Sequence, residues 1–148
     1  MPEKVRDVPI ERCVDPLRLH AMASHPAVSP GLANYDIDKM APMVLDPRNV
    51  VLIDGPVAGI FEFCAPGVYE GHAIALPGGR GRTMIDTGLA MFRHMALTFG
   101  ALRIWGEPSR ANRAMCWISR QLGMRSLGQE HRPNGLREIF IWEPTPCR

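Results

Sequence analysis

The stretch Gly71-His72-Ala73-Ile74-Ala75-Leu76-Pro77-Gly78-Gly79-Arg80-Gly81-Arg82-Thr83-Met84-Ile85 decides how the chain is read. An apolar strand runs into a turn rich in glycine and arginine, and that turn opens a long amphipathic helix. Strand, flexible loop and helix start together make an anion-binding device. Glycines let the backbone approach a ligand, and the unpaired amides of the first helical turn point at it with the positive end of the helix dipole. Arg80 and Arg82 add forked donors suited to phosphate. The plainer alternative is a strand-to-helix connection with solvated arginines.

Working outward, 148 residues with 46% hydrophobic content predict one globular domain, residues 1–148, around a single core. The 14 glycines and 14 prolines predict many turns and short elements rather than a helical bundle. No run approaches the ~18 apolar residues of a membrane span. The start is polar, without an apolar signal core, so a cytoplasmic chain is expected. Cys13, Cys64, Cys116 and Cys147 are scattered, with no C-x-x-C pair and no nearby histidine pair. Buried free thiols in a reducing compartment are expected, and no metal site.

Charge is unevenly distributed. Residues 1–75 hold 6 basic and 10 acidic side chains, and residues 76–148 hold 11 and 5. Fifteen of the 17 basic residues are arginine. Such a skew suits a C-terminal half that meets a polyanion, either a phosphorylated cofactor or nucleic acid, or else a solvated basic face.

In chain order, residues 7–14 alternate weakly and predict a strand interrupted by Pro9. Asp15-Pro16 signals a capped helix start, and this helix ends near His25-Pro26. Pro26, Pro30, Pro42 and Pro47, with Gly31 and Asn34, exclude one long element over residues 26–48. A short helix over residues 36–44 is expected there, capped by Asp36. Residues 49–54, 57–64 and 68–76 predict three antiparallel strands joined by tight turns, with Gly59 as a candidate bulge. Residues 83–99 predict a helix whose apolar stripe is Ile85, Leu89, Phe92, Ala96 and Phe99, with Gly88 packed against the sheet and Gly100 as its stop. Residues 101–105 predict a strand. A helix follows through Met115, Ile118 and Leu122 to Gly123, and residues 124–129 and 136–142 predict a final strand pair. Residues 144–148 are expected to fray. The order β-α-α-β-β-β-α-β-α-β-β describes an α+β fold with a mixed, mostly antiparallel central sheet flanked by helices.

That order, together with two motifs, resembles the GNAT N-acetyltransferase superfamily. Its first signature joins a strand ending in a small residue, x and proline to a loop of form Arg/Gln-x-x-Gly-x-Gly/Ala. The segment Ala75-Leu76-Pro77 through Arg80-Gly81 matches, and Thr83 and Ile85 depart where the family keeps small residues. The second signature, Asn-x-x-Ala-x-x-x-Tyr-x-x-x-Gly-Phe, is approximated by residues 112–124. Asn112 and Gly123 match, and Ser119 stands where the family often has tyrosine. The resemblance covers about residues 49–127, and its departures look similar to those of small phage-encoded members.

The resemblance implies acetyl-CoA as cofactor, with its pyrophosphate on the backbone of Arg80, Gly81, Arg82, Thr83, Met84 and Ile85. Ile85 is expected to crowd that helix start. The pantetheine arm would pair with Ile74, Ala75 and Leu76 and reach Asn112, for which a helix cap is the other role. Acyl transfer to an amine needs a base and an acid. Glu70 and His72, two apart on one strand, face the same side, and Glu70 is the preferred base with His72 second. Ser119 is the candidate acid. The acceptor is an amine-bearing small molecule or protein of unknown identity, and the last strand pair offers an edge for a homodimer by sheet extension. A catalytically silent GNAT-like binding or assembly module is the alternative reading. A nucleic-acid-binding domain fits less well, because Trp105, Trp117 and Trp142 form no aromatic strand motif.

Overall fold

A computed structural model describes residues 10–32 and 36–145. Expectations for residues 7–9, for Asn34, and for Cys147 with the end of the tail lie outside the described residues. The order is β1 (Glu11–Arg12), α1 (Pro16–Ala23), α2 (Ile37–Leu45), β2 (Val50–Asp54), β3 (Val57–Ala65), β4 (Val68–Ala75), α3 (Arg82–Phe99), β5 (Arg103–Gly106), α4 (Arg113–Gln121), β6 (Arg125–Arg132) and β7 (Gly135–Trp142). That is the order anticipated from the sequence. One seven-stranded sheet runs β1-β2-β3-β4-β5-β7-β6. Only β4 and β5 are parallel, and the other pairs are antiparallel.

Alternation along β2, β3 and β4 separates two cores on the two faces of the sheet. Val51, Ile53, Ala58, Ile60 and Ile74 face α1 and α2, which contribute Leu19, Met22, Met40 and Val44. Val50, Leu52, Val57, Phe61 and Tyr69 face α3, where Met84, Met91, Phe92 and Met95 pack with Leu122 beyond α4. The helix starts have local causes. Asp15 accepts from the Leu17 amide at 3.0 Å, Asp36 from that of Asp38 at 2.9 Å, and Asn112 from that of Met115 at 3.1 Å. Side-chain caps of this kind satisfy amides that the helix leaves unpaired.

Several local expectations are corrected. Of the strand expected over residues 7–14, the described part forms strand only at Glu11–Arg12. Gly59 is no bulge: it pairs regularly with Leu52 and Ala73. A Cβ there would stand 2.8 Å from the Met91 sulfur, so the glycine admits α3 to the sheet. The irregularity falls between Phe63 and Ala65 instead, and Cys64 within it is exposed rather than buried. The buried stripe of α3 is also rotated. It runs through Met84, Thr87, Gly88, Met91 and Met95 beside Ile85 and Phe92, while Leu89 is exposed. Methionine is flexible enough to fill an irregular helix–sheet interface, so the residues beside the expected stripe became its centre. Gly88 packs on Leu122 rather than on the sheet, with a Cβ position 2.7 Å from Leu122 Cδ2.

The sequence pattern gives no hint of Glu138, the one buried carboxylate among the described residues. Arg110 Nη1 donates to Glu138 Oε1 at 2.9 Å, and Arg120 Nη2 donates to Oε2 at 2.7 Å. Its own amide donates to the Pro108 carbonyl at 3.1 Å. Arg120 also lies over the Phe140 ring, 5.2 Å from its centroid. β7 therefore anchors both α4 and the segment before it. Replacing Glu138 by alanine strands two guanidiniums, but both reach solvent, so the cost falls below the ~3–5 kcal/mol of a fully buried pair. Urea unfolding of Glu138→Ala followed by circular dichroism should show a loss of roughly 2–3 kcal/mol.

Candidate active site

The site begins where two parallel strands part. β4 and β5 pair through Val68–Arg103, Tyr69–Ile104 and Glu70–Trp105, and no further. β4 continues to Ala75, still paired with β3 on its other side. β5 is drawn toward β7 instead. The Glu107 carbonyl accepts from Arg137 Nη1 at 3.0 Å, the Pro108 carbonyl takes the Glu138 amide, and Pro108 has no amide to return. Residues 71–75 thus have no strand on their β5 side.

A cavity of about 340 Å³ opens in this wedge. Its walls are mostly apolar. Gly59, Phe61, Met84, Gly88, Met91 and Leu122 line it from the α3 side, and Leu32 and Ala58 from the side of α1 and α2. Pro108, Met115 and Ser119 form the wall on α4 and the segment before it. The space therefore reaches both faces of the sheet through the gap between β4 and β5. Glu70, His72 and Glu107 are among its few polar residues.

Glu70 and His72 project from one face of β4, with Glu62 directly opposite Glu70 on β3. His72 Nε2 lies 3.4 Å from Glu70 Oε1 and 3.6 Å from Glu62 Oε1. Burial pushes the Glu70 carboxyl above the ordinary carboxylate range; the nearby His72 pulls against this, and Glu62 and Glu107 add to it. Glu62 and Glu107 are the acidic neighbours that the sequence pattern did not single out. Glu62 owes its place opposite Glu70 to the irregularity between Phe63 and Ala65. Glu107 precedes a proline just past a strand, which by itself reads as an ordinary turn.

At the far end of β4, residues 77–79 form a 3₁₀ turn leading to Gly81, the residue before α3. Gly79 is packed down, since a Cβ there would stand 2.9 Å from the Pro56 carbonyl. Gly81 has φ +69° and ψ −131°, and space is open around it. α3 has no side-chain cap, unlike α1, α2 and α4. Its first backbone bond runs from the Ile85 amide to the Gly81 carbonyl at 3.3 Å. The amides of Arg82, Thr83 and Met84 precede that bond and have no acceptor within the helix. Ile85, in the first turn, is buried.

The remaining expected site residues have defined surroundings. Arg80 Nη2 donates to the Ala27 carbonyl at 2.6 Å, tying the loop to the segment after α1. Arg82 pairs with Asp86 at 3.1 Å, with both side chains largely exposed. Ile74 is buried on the α1 and α2 face, and Ala75 and Leu76 are half-buried at the strand end. Asn112 is exposed and caps α4 through its side-chain oxygen. The Ser119 hydroxyl is buried and donates to the Met115 carbonyl at 2.8 Å. The structure thus brings Glu70, His72 and Ser119 to one cavity, while the loop residues stand at the end of β4.

No protein-family model and no curated protein matches the sequence. Solved structures do match the fold. A spermidine N-acetyltransferase from Vibrio cholerae superposes with a TM-score of 0.72 at 9% identity, over 92% of this chain and 95% of that one. An aminoglycoside acetyltransferase in complex with coenzyme A and kanamycin gives 0.69 at 12% identity, over 90% and 93%. A ribosomal-protein-S5-alanine acetyltransferase from Vibrio fischeri gives 0.59 at 10% identity, over 72% and 68%. The chain has the fold of the GNAT acetyltransferases. No helix among the described residues is long and apolar enough to cross a membrane.

The backbone at Gly81 lies in a region that residues with a Cβ avoid at a cost of about 1–3 kcal/mol. Gly78 is equally open but carries no positive φ. Thermal unfolding should therefore show Gly81→Ala melting below wild type and Gly78→Ala melting beside it.

Proposed function

We propose that the chain, as one acyltransferase domain in the cytoplasm, is an acetyl-CoA-dependent N-acetyltransferase acting on a primary amine. The observation that carries this reading is the continuity of the parted β4 edge with the uncapped start of α3, and the placing of Glu70 beside the same cavity. Acetyl-CoA would supply the thioester and its electrophilic carbonyl. The amides of Arg82, Thr83 and Met84 would hold its pyrophosphate, with the helix dipole favouring negative charge at that end. Backbone along residues 74–76 would pair with the pantetheine arm, and the apolar wall would keep water away.

Glu70 takes the proton that the amine must lose, directly or through water. Burial raises its affinity for a proton, which makes it a stronger base than an exposed glutamate. His72 is the second candidate for that role, at the more exposed side of the pair. Ser119 is poorly placed to protonate the leaving thiolate, because its hydroxyl hydrogen is already given to the Met115 carbonyl. Thr83, Ile85 and Ser119 are the departures that favour a catalytically silent module. Ile85 is buried rather than exposed at the loop, which counts against that alternative. The comparison proteins described as acting on spermidine, kanamycin-class aminoglycosides or a protein alanine all use amines, which supports the acceptor class without choosing within it.

Calorimetric titration with acetyl-CoA should show saturable binding at one equivalent, and no binding at millimolar cofactor would overturn the reading. On an acceptor found by screening primary amines, Glu70→Gln should lower kcat by about 10²–10⁴-fold with the acetyl-CoA KM little changed. Ser119→Ala should retain kcat within about threefold, since a general acid would be worth at least the ~10²-fold typical of such groups.

A further inference from the structure

The geometry points to a divalent-metal site of the zinc class formed by Glu62, Glu70 and His72. The three donors sit on paired backbone. Glu62 and Glu70 are direct partners across β3 and β4, and His72 lies two residues farther along the same face. Their donor atoms all fall within 4.8 Å of one another. His72 Nε2 is 3.4 Å from Glu70 Oε1 and 3.6 Å from Glu62 Oε1. Two donors bound tetrahedrally to one zinc at its usual bond lengths stand about 3.3–3.6 Å apart. Both measured edges already have that length, and rotation of the two carboxylates closes the third. One imidazole with two carboxylates is a nitrogen and oxygen donor set that suits zinc, and three protein ligands leave a fourth position open to the cavity.

A second observation, independent of these distances, is how the chain distributes its cations. Every other described glutamate has an arginine partner: Glu11 has Arg18, Glu107 and Glu130 share Arg132, Glu138 holds Arg110 and Arg120, and Glu143 has Arg103 and Arg125. Glu62 and Glu70 pair with His72 alone. Like charges directly opposite on antiparallel strands repel, and an imidazole is not a permanent cation as a guanidinium is. Among the described residues, no arginine or lysine pairs with these two facing carboxylates. A bound divalent ion supplies the missing charge and turns the repulsion into coordination.

The metal would occupy Glu70, so its presence blocks the base; this consequence, unlike the binding itself, rests on the acetyltransferase reading. The test titrates zinc chloride into chelator-treated, tag-free protein at pH 7, followed by calorimetry. Cys64 is exposed and two residues from Glu62, and Cys147 is a second thiol, so Cys64→Ser/Cys147→Ser is the background for every variant. Saturation at one equivalent is expected, with affinity falling tenfold or more in Glu62→Gln and again in His72→Ala. No saturable binding, or an affinity left unchanged by both substitutions, overturns the site. Acetyl-CoA titrated into the Glu62→Gln protein checks that it is folded, and acetyl-CoA titrated into the background protein separates the two readings. In that background, cofactor binding without zinc binding rejects the metal site alone, and zinc binding without cofactor binding rejects the acetyltransferase reading alone.

Discussion

The parting of β4 from β5 is the constraint on which the rest of the molecule depends. Two parallel strands that pair for three residues and then diverge leave one backbone edge without a partner, and an unpaired edge in an apolar wedge is costly unless something else binds it. The divergence is driven from outside the wedge. β7 captures the end of β5 through the Glu138 amide and the Arg137 guanidinium, and Glu138 fastens α4 behind it through Arg110 and Arg120. Glycines stand where the strands separate. A Cβ on Gly71 would stand 3.2 Å from Ile104, and one on Gly106 would stand 3.4 Å from the Gly71 carbonyl. The cavity is therefore held open by a buried ionic clasp on one side and by close backbone approach at its apex.

Much of this scaffold was legible in the sequence because it rests on local signals. Asp15-Pro16, Asp36 and Asn112 mark three helix starts through capping chemistry, and Gly100 stops α3 in the left-handed conformation at φ +67°. The hairpin turns at Gly55-Pro56 and Pro66-Gly67 locate β2, β3 and β4 by the same logic. What was not legible depends on which face a residue meets after packing. The choice of methionines over Leu89 and Ala96 as the inner stripe of α3 is a matter of how a helix rotates on a twisted sheet, and both stripes have helical spacing. The arginine skew is likewise an outcome of tertiary pairing. Arg103, Arg110, Arg120, Arg125 and Arg132 all spend charge on carboxylates of the chain itself, which a count of residues cannot reveal.

Glu62 shows the limit most clearly. A regular hairpin continued from the Ala65–Val68 pair would set Cys64 against Tyr69 and Glu62 against Gly71. The irregularity at Cys64 shifts the register, so Phe63 meets Tyr69 and Glu62 meets Glu70. A one-residue shift exchanges the faces of a strand. The shift therefore transfers Glu62 from the partner of a glycine to the side of Glu70 and His72. The chemistry at this face depends on one unpaired residue that has no signature beyond a cysteine between a phenylalanine and an alanine.

The two ends of the site tolerate sequence change to different degrees. At the start of α3 the groups left unpaired are main-chain amides, which any residue supplies once Gly81 sets the turn and Gly79 seats it on Pro56. Thr83 is half-buried there and Ile85 is buried. At Glu70 the groups are side chains, and their positions depend on register, on the Cys64 irregularity and on the clasp around Glu138. A fold can thus be matched across 9–12% identity while no family model matches. Main-chain amides keep their places whatever side chains they carry, whereas Glu62, Glu70 and His72 face one another only while the strand register holds.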